Sequence, residues 1–182
     1  MCGVALRRPL SIILSLMMIF SAFAIVPVTA SAADIPEVTL VFPDYDNDWG
    51  IPASNTSGLN TYSNGTYSIN LYASNAYKMN NGYLLLGKRD SYLELPAFDF
   101  NVEKIVVTGN GGASDKVNTN IYVGDNSAST TVTGSTGTNT FEISSDYQAA
   151  GNAYRLKVEN AYNVQISKIE VYKAESAPVP TT

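Results

Sequence analysis

The stretch Val164-Gln165-Ile166-Ser167-Lys168-Ile169-Glu170-Val171-Tyr172 decides the fold, because its apolar rhythm changes phase in the middle. Val164 and Ile166 sit two apart, and so do Ile169 and Val171, the period of a strand with one buried face. The two pairs have opposite parity, and a strict two-residue rhythm cannot bury all four on one side. A β-bulge at Ser167-Lys168 restores the phase and is the reading adopted. The alternative is a strand covered on both faces.

The same period recurs upstream. Val38, Leu40 and Phe42 alternate with Thr39 and Val41 in a first strand, and Tyr67, Ile69 and Leu71 alternate with Ser68, Asn70 and Tyr72 in a second. Residues 43 to 61 read as a long polar connection. Asn64-Gly65 and Asn81-Gly82 are turn dipeptides that tolerate the positive φ of a type I′ hairpin, so Asn81-Gly82 joins Tyr77–Asn80 to Tyr83–Leu86. Further strands follow at Tyr92–Leu95, Lys104–Thr108, Asn120–Val123, Thr130–Thr133, Thr140–Ile143 and Tyr154–Val158, with loops at 109–112 and Thr133–Gly137. No window of a dozen residues holds a helical period. About ten short strands between turns predict an all-β chain, a two-sheet antiparallel β-sandwich.

Residues 1–32 read as a cleavable signal peptide. Arg7 and Arg8 make the basic start, Leu10 to Val26 is apolar apart from serines, and Ala30-Ser31-Ala32 is the small-x-small cleavage pattern. Cleavage is expected after Ala32, with Val28-Thr29-Ala30 as a second site; the competing reading is a retained membrane anchor. The β-sandwich domain then runs from 33 to 173, and 174–182, with Pro178 and Pro180, reads as a linker or tail. The expected location is secreted or at the cell surface.

Composition removes whole classes of chemistry. The chain contains no histidine, which excludes His-based triads and His-ligated zinc or copper sites. Its one cysteine, Cys2, lies in the signal segment, so the remainder forms no disulfide. Without Arg7 and Arg8, nine basic residues face 16 acidic ones, a net charge of −7. That field repels nucleic-acid phosphates and anionic membranes, so neither is an expected partner. Asp44, Asp46, Asp48, Glu94, Asp99, Glu103 and Glu170 supply carboxylates, but nothing in their spacing pairs two across a cleft as a glycosidase requires. Glu94 and Glu170 alternate with apolar neighbours, as solvent-facing residues do. The expectation is a protein that is not an enzyme.

Tyr92-Leu93-Glu94-Leu95-Pro96-Ala97-Phe98-Asp99-Phe100, the following Val102–Gly109 and the closing Ile166–Tyr172 resemble galactose-binding-like jelly-roll modules of secreted and surface proteins of bacteria. The resemblance spans about 38 to 173 and rests on degenerate strand motifs. It implies a jelly-roll β-sandwich with loops clustered at its ends, a last strand lying beside the first, and an accessory role, commonly carbohydrate binding. Fold alone does not assign the ligand.

Asp44-Tyr45-Asp46-Asn47-Asp48-Trp49-Gly50 is the most unusual polar stretch. Asp44, Asp46 and Asp48 match the first ligand positions of an EF-hand, but Trp49 occupies the glycine position and Asn55 the place of the bidentate Glu. A looser structural calcium site, of the kind the resemblance implies near the first strand, and a solvated acidic turn are both open. Trp49, the only tryptophan, either stacks on a sugar ring or folds over the end of the sandwich as core. Among the 12 tyrosines, Tyr67 shares the buried face of its strand, Tyr72 takes the other face, and Tyr62 and Tyr77 lie near loops. The candidate ligand-binding residues are therefore Trp49, Tyr62 and Tyr77, and the candidate metal ligands Asp44, Asp46 and Asp48. The expected function is recognition of a polysaccharide or glycoprotein glycan by a non-catalytic module. The alternative is a structural or adhesive cell-surface spacer whose partner is another protein. Asn55 and Asn64 each begin an N-glycosylation sequon.

Overall fold

The computed structural model describes residues 34–42, 48–80, 82–109, 119–135, 137–159 and 161–175. The expected signal helix, Asp44, Asp46, Asn81, the loop residues 110–112 and the tail from 176 lie outside the described residues. Among the described residues the chain forms thirteen strands. They are β1 (Val38–Val41), β2 (Thr56–Ser63), β3 (Ser68–Asn80), β4 (Tyr83–Leu86), β5 (Tyr92–Glu94), β6 (Val102–Thr108) and β7 (Thr119–Val123). There follow β8 (Asn126–Ser127), β9 (Ser129–Ser135), β10 (Thr138–Ile143), β11 (Tyr154–Val158), β12 (Val164–Ile166) and β13 (Lys168–Lys173).

Every pairing is antiparallel, and the strands divide between two sheets. The smaller runs β1-β13-β6-β10-β9; the larger runs β12-β4-β3-β5-β11-β7-β8, with β2 also paired to β3. Their apolar faces share one core, in which Leu40, Ile105, Phe141, Ile169 and Val171 from the smaller sheet meet Leu71, Leu84, Leu93, Ile121 and Leu156 from the larger. All ten are at most 1% exposed, and burial of each such side chain contributes about 1.5–3 kcal/mol. The molecule is a β-sandwich.

The phase change at Ser167 is a change of sheet, not a bulge. Ile166 pairs with Leu84 in the larger sheet, whereas Lys168 pairs with Val41 and Thr108 in the smaller. The sandwich interior lies on opposite sides of the two sheets. A chain that crosses between them must therefore invert the parity of its buried residues. Ser167 pins the crossing: its N–H donates to the Thr108 carbonyl at 2.8 Å, and its own carbonyl accepts from Phe42 N–H at 2.9 Å. The approach is close enough that a Cβ on Gly109 would collide with the backbone oxygen of Gln165. Glycine at 109 is a packing requirement.

Three other expectations are corrected. Residues 43 to 61 are not all connection, because Thr56–Ser63 is strand β2. Its sequence TSGLNTYS buries little on either face, so it shows no alternation to read. Its register comes instead from the hairpin at Asn64-Gly65, where Gly65 has φ +89° and the Asn64 Oδ1 accepts from the N–H groups of Thr66 and Tyr67. The expected second strand and Tyr77–Asn80 are one thirteen-residue strand, β3, because β2 pairs along Ser68–Tyr77, β5 pairs with Asn70–Tyr72 and β4 pairs with the remainder from Lys78. Thr133–Ser135 continues β9 rather than forming a loop. β3 and β4 pair as the expected hairpin, with Asn80 opposite Tyr83 and Gly82 at φ +78°.

Candidate functional site

Two of the three aromatic candidates face inward. Trp49 is 3% exposed and stacks on Phe42 with ring centroids 5.5 Å apart; its indole N–H donates to the Val41 carbonyl at 2.9 Å. It closes the core at the end of β1 and presents no ring face to a sugar. Tyr77 is fully buried, and its hydroxyl donates to that of Tyr62 at 3.0 Å. Burial pushes the Tyr77 phenol up to about 12. The two rings meet edge to face at 6.2 Å, so the half-buried Tyr62 covers Tyr77. Trp49 takes the core-closing alternative, and Tyr77 lies in the same core.

Of the acidic candidates, Asp48 is exposed, and Asp44 and Asp46 lie outside the described residues. Among the described residues no group of three His, Cys, Asp or Glu side chains converges to hold a metal ion.

The polar chemistry collects instead on the outer face of the larger sheet, opposite the core. Antiparallel register sets side chains in rows across strands. One row runs Thr61, Asn70, Glu94, Arg155 and Tyr122 over β2, β3, β5, β11 and β7. Thr61 Oγ1 donates to Asn70 Oδ1 at 2.7 Å, Asn70 Nδ2 to Glu94 Oε1 at 2.8 Å, and Arg155 Nε to Glu94 Oε2 at 2.5 Å. The next row runs Leu59, Tyr72, Tyr92, Lys157 and Asn120. Tyr72 and Tyr92 stack with centroids 5.3 Å apart, and the guanidinium carbon of Arg155 lies 4.9 Å from the Tyr92 centroid. Lys157 Nζ lies 5.4 Å from the Tyr122 centroid and 3.2 Å from Asp90 Oδ1.

Hydrogen bonding on this face shifts three of its groups, Glu94, Arg155 and Tyr122. Burial raises the Glu94 carboxyl, but hydrogen bonds from Asn70 and Arg155 outweigh it and leave the group below its ordinary value. The Glu94 bond in turn holds Arg155 above its ordinary value, against partial burial. Tyr122 donates to Glu159 Oε1 at 2.6 Å, and that bond, with burial second, pushes its phenol up to about 12. Glu94 is thus a structural anion, not the solvent-facing residue that alternation predicts.

Beside these rows lies a depression of 180 Å³ lined by Asp90, Tyr92, Tyr122, Gly124, Asp125, Arg155 and Lys157. Gly124 (φ +59°) and Asp125 form the two-residue turn between β7 and β8, which brings the Asp125 carboxylate to its edge. A larger, open depression of 570 Å³ between Val38, Thr66–Ser68 and Pro96–Phe100 carries one charged side chain, Asp99. The smaller depression brings two aromatic rings together with two cations and two carboxylates; the larger has three aromatic residues and a single charge.

Sequence reasoning named Tyr72 and Glu94 only as outward-facing residues and passed over Tyr92, Arg155, Lys157 and Tyr122. Each alternates with a buried neighbour, as Arg155 and Lys157 do with Leu156, so their outward direction was readable. What was not readable is that β11 lies between β5 and β7. No family model, no curated protein and no solved structure matches this chain.

Proposed function

We propose that this chain is a secreted, non-catalytic binding module that recognises a glycan through the outer face of its larger sheet. The carrying observation is the hydrogen-bonded array of Asn70, Glu94 and Arg155 beside the stacked Tyr72 and Tyr92, whose side chains hold one another in place on a half-exposed surface. Carbohydrate recognition needs planar polar groups and aromatic carbon held in place before the ligand arrives, because ordering them on binding subtracts from affinity. The sandwich itself is of galactose-binding-like, jelly-roll type in this reading. The antiparallel pairing of the first strand with the last, Val38 opposite Val171, supports that assignment. The signal segment at 1–32 supports export. The ligand meets a sheet face here rather than the loop rim around Trp49.

A glycan array probed with the labelled protein tests the reading. Saturable binding to a defined glycan, lost in a Tyr72→Ala/Tyr92→Ala double variant whose circular dichroism is unchanged, is the expected result. Absence of any glycan ligand, with a protein partner captured through the same face, would replace it with the adhesive-spacer alternative.

A further inference from the structure

We propose, on the basis of that glycan reading, that the 180 Å³ depression reads a carboxylate-bearing sugar, with Arg155 as its clamp. The argument begins with how Arg155 is held. Its Nε–H is spent on Glu94 Oε2 at 2.5 Å, and its planar head lies over Tyr92 at 4.9 Å. These two contacts fix the position and the plane of the guanidinium through Nε and the ring face, and the Asp125 carboxylate acts on the head by charge. Such a group is a preorganised fork. Its terminal edge matches the two oxygens of a carboxylate, and the rotational entropy of the side chain is already spent in the unbound protein.

The surroundings favour the same ligand. Lys157 lines the depression too; its bond to Asp90 at 3.2 Å joins side chains 37% and 63% exposed, a contact weak enough to exchange. Among the lining residues, Arg155 and Lys157 balance Asp90 and Asp125. Glu94 and Glu159 stand just behind the lining, bonded to Arg155 and Tyr122, so an incoming carboxylate is selected by the directed fork and not by a net positive field. Asp125, exposed on its turn, can accept from sugar hydroxyls. Tyr92 and Tyr122 supply the aromatic wall. A volume of 180 Å³ suits a single ring, so the ligand is one acidic residue, uronate or sialate, at the end or branch of a glycan.

Calorimetric titration of the purified chain tests this with tetragalacturonate and sialyllactose, each beside its neutral counterpart, the carboxyl-reduced tetrasaccharide and lactose. One acidic probe is expected to bind at least about tenfold more tightly than its neutral partner, and which one does so separates uronate from sialate. Arg155→Lys keeps the charge but loses the fork. It is expected to cost about tenfold more affinity for the acidic probe than for the neutral one, with an unchanged far-UV circular dichroism spectrum. If that variant does not fold, ¹⁵N NMR of the native protein serves instead: the Arg155 Nη resonances shift on saturation with the acidic probe alone. Equal affinity for acidic and neutral partners, or unmoved Nη resonances, overturns the clamp and leaves glycan binding standing. Binding of neither pair, or of any arrayed glycan, overturns both.

Discussion

Replacing Trp49 with alanine removes the largest aromatic side chain at the end of β1. The indole is 3% exposed, stacked on a Phe42 that is itself fully buried, and its N–H is bonded to the Val41 carbonyl. Truncating a buried Trp to Ala costs about 3–5 kcal/mol, the sum of lost transfer energy and the cavity left behind. The hydrogen bond adds little beside this, because the net worth of one is about 1 kcal/mol. Trp49→Phe keeps the stack and loses only the N–H and part of the volume, so about 1–2 kcal/mol is expected. With a urea slope of about 2 kcal/mol per M, the midpoint should fall by about 2 M for alanine and by under 1 M for phenylalanine. Far-UV circular dichroism is the probe, since the only tryptophan is gone in both variants. In the unaltered protein the emission should be blue-shifted and resist acrylamide. A Trp49→Ala midpoint within 0.3 M of the parent, an energy change of about 0.6 kcal/mol, would refute the assignment of Trp49 to the core and return it to the surface.

The remaining predictions concern charge and the sheet crossing. Glu94 titrates below its ordinary value of 4.5 in the folded chain, so the unfolded chain binds the proton more readily; the stabilisation is complete above pH 4.5 and is lost as pH falls through the folded value. Urea midpoints followed from pH 7 to pH 3 should therefore decline, and Glu94→Gln should flatten the acid limb; an unaltered limb would remove Glu94 from the network. At the alkaline end Tyr77 stays protonated up to about 12 while the unfolded phenol ionises near 10.0, so the folded state binds more protons and stability falls between those values, on the order of 2 kcal/mol in all. Tyr77→Phe should reduce the alkaline loss without abolishing it, because Tyr122 is also held up to about 12, and a normal phenolate titration of every tyrosine in the native protein would contradict it. Gly109→Ala should cost about 2–3 kcal/mol, because the new Cβ has to push against the backbone of Gln165 rather than a movable side chain; a neutral thermal shift would mean that the crossing is looser than described.

Legibility followed burial. Wherever a strand has one face in the core, as with Ile69 and Leu71 or Leu156 and Val158, the two-residue period identifies it from the sequence. β2 has no such face, so only the Asn64-Gly65 turn hints at it. At Ser167 the signal itself was legible and its cause was not. Opposite parity in Val164/Ile166 and Ile169/Val171 arises equally from an extra residue in one sheet and from a passage between facing sheets. Local pattern contains parity but not partner. The partners, Leu84 for Ile166 and Val107 for Ile169, decide between the two.

The same limit explains why the aromatic candidates were named as a site and the polar face was not. Composition draws attention to a lone tryptophan and to tyrosines near loops, but a large aromatic ring at the end of a sandwich gains more from closing the core than from facing water. Trp49 and Tyr77 took that course. Arg155, by contrast, is unexceptional in the run Tyr154–Val158 until β11 is set between β5 and β7. That placement puts Glu94 opposite it on one side and Tyr122 on the other. A guanidinium with a fixed counter-ion and an aromatic backing is a different reagent from one on a free strand, because its plane and remaining donors are already aimed. The candidate site is thus a property of strand order, and strand order comes from which apolar faces fit together in the core beneath it.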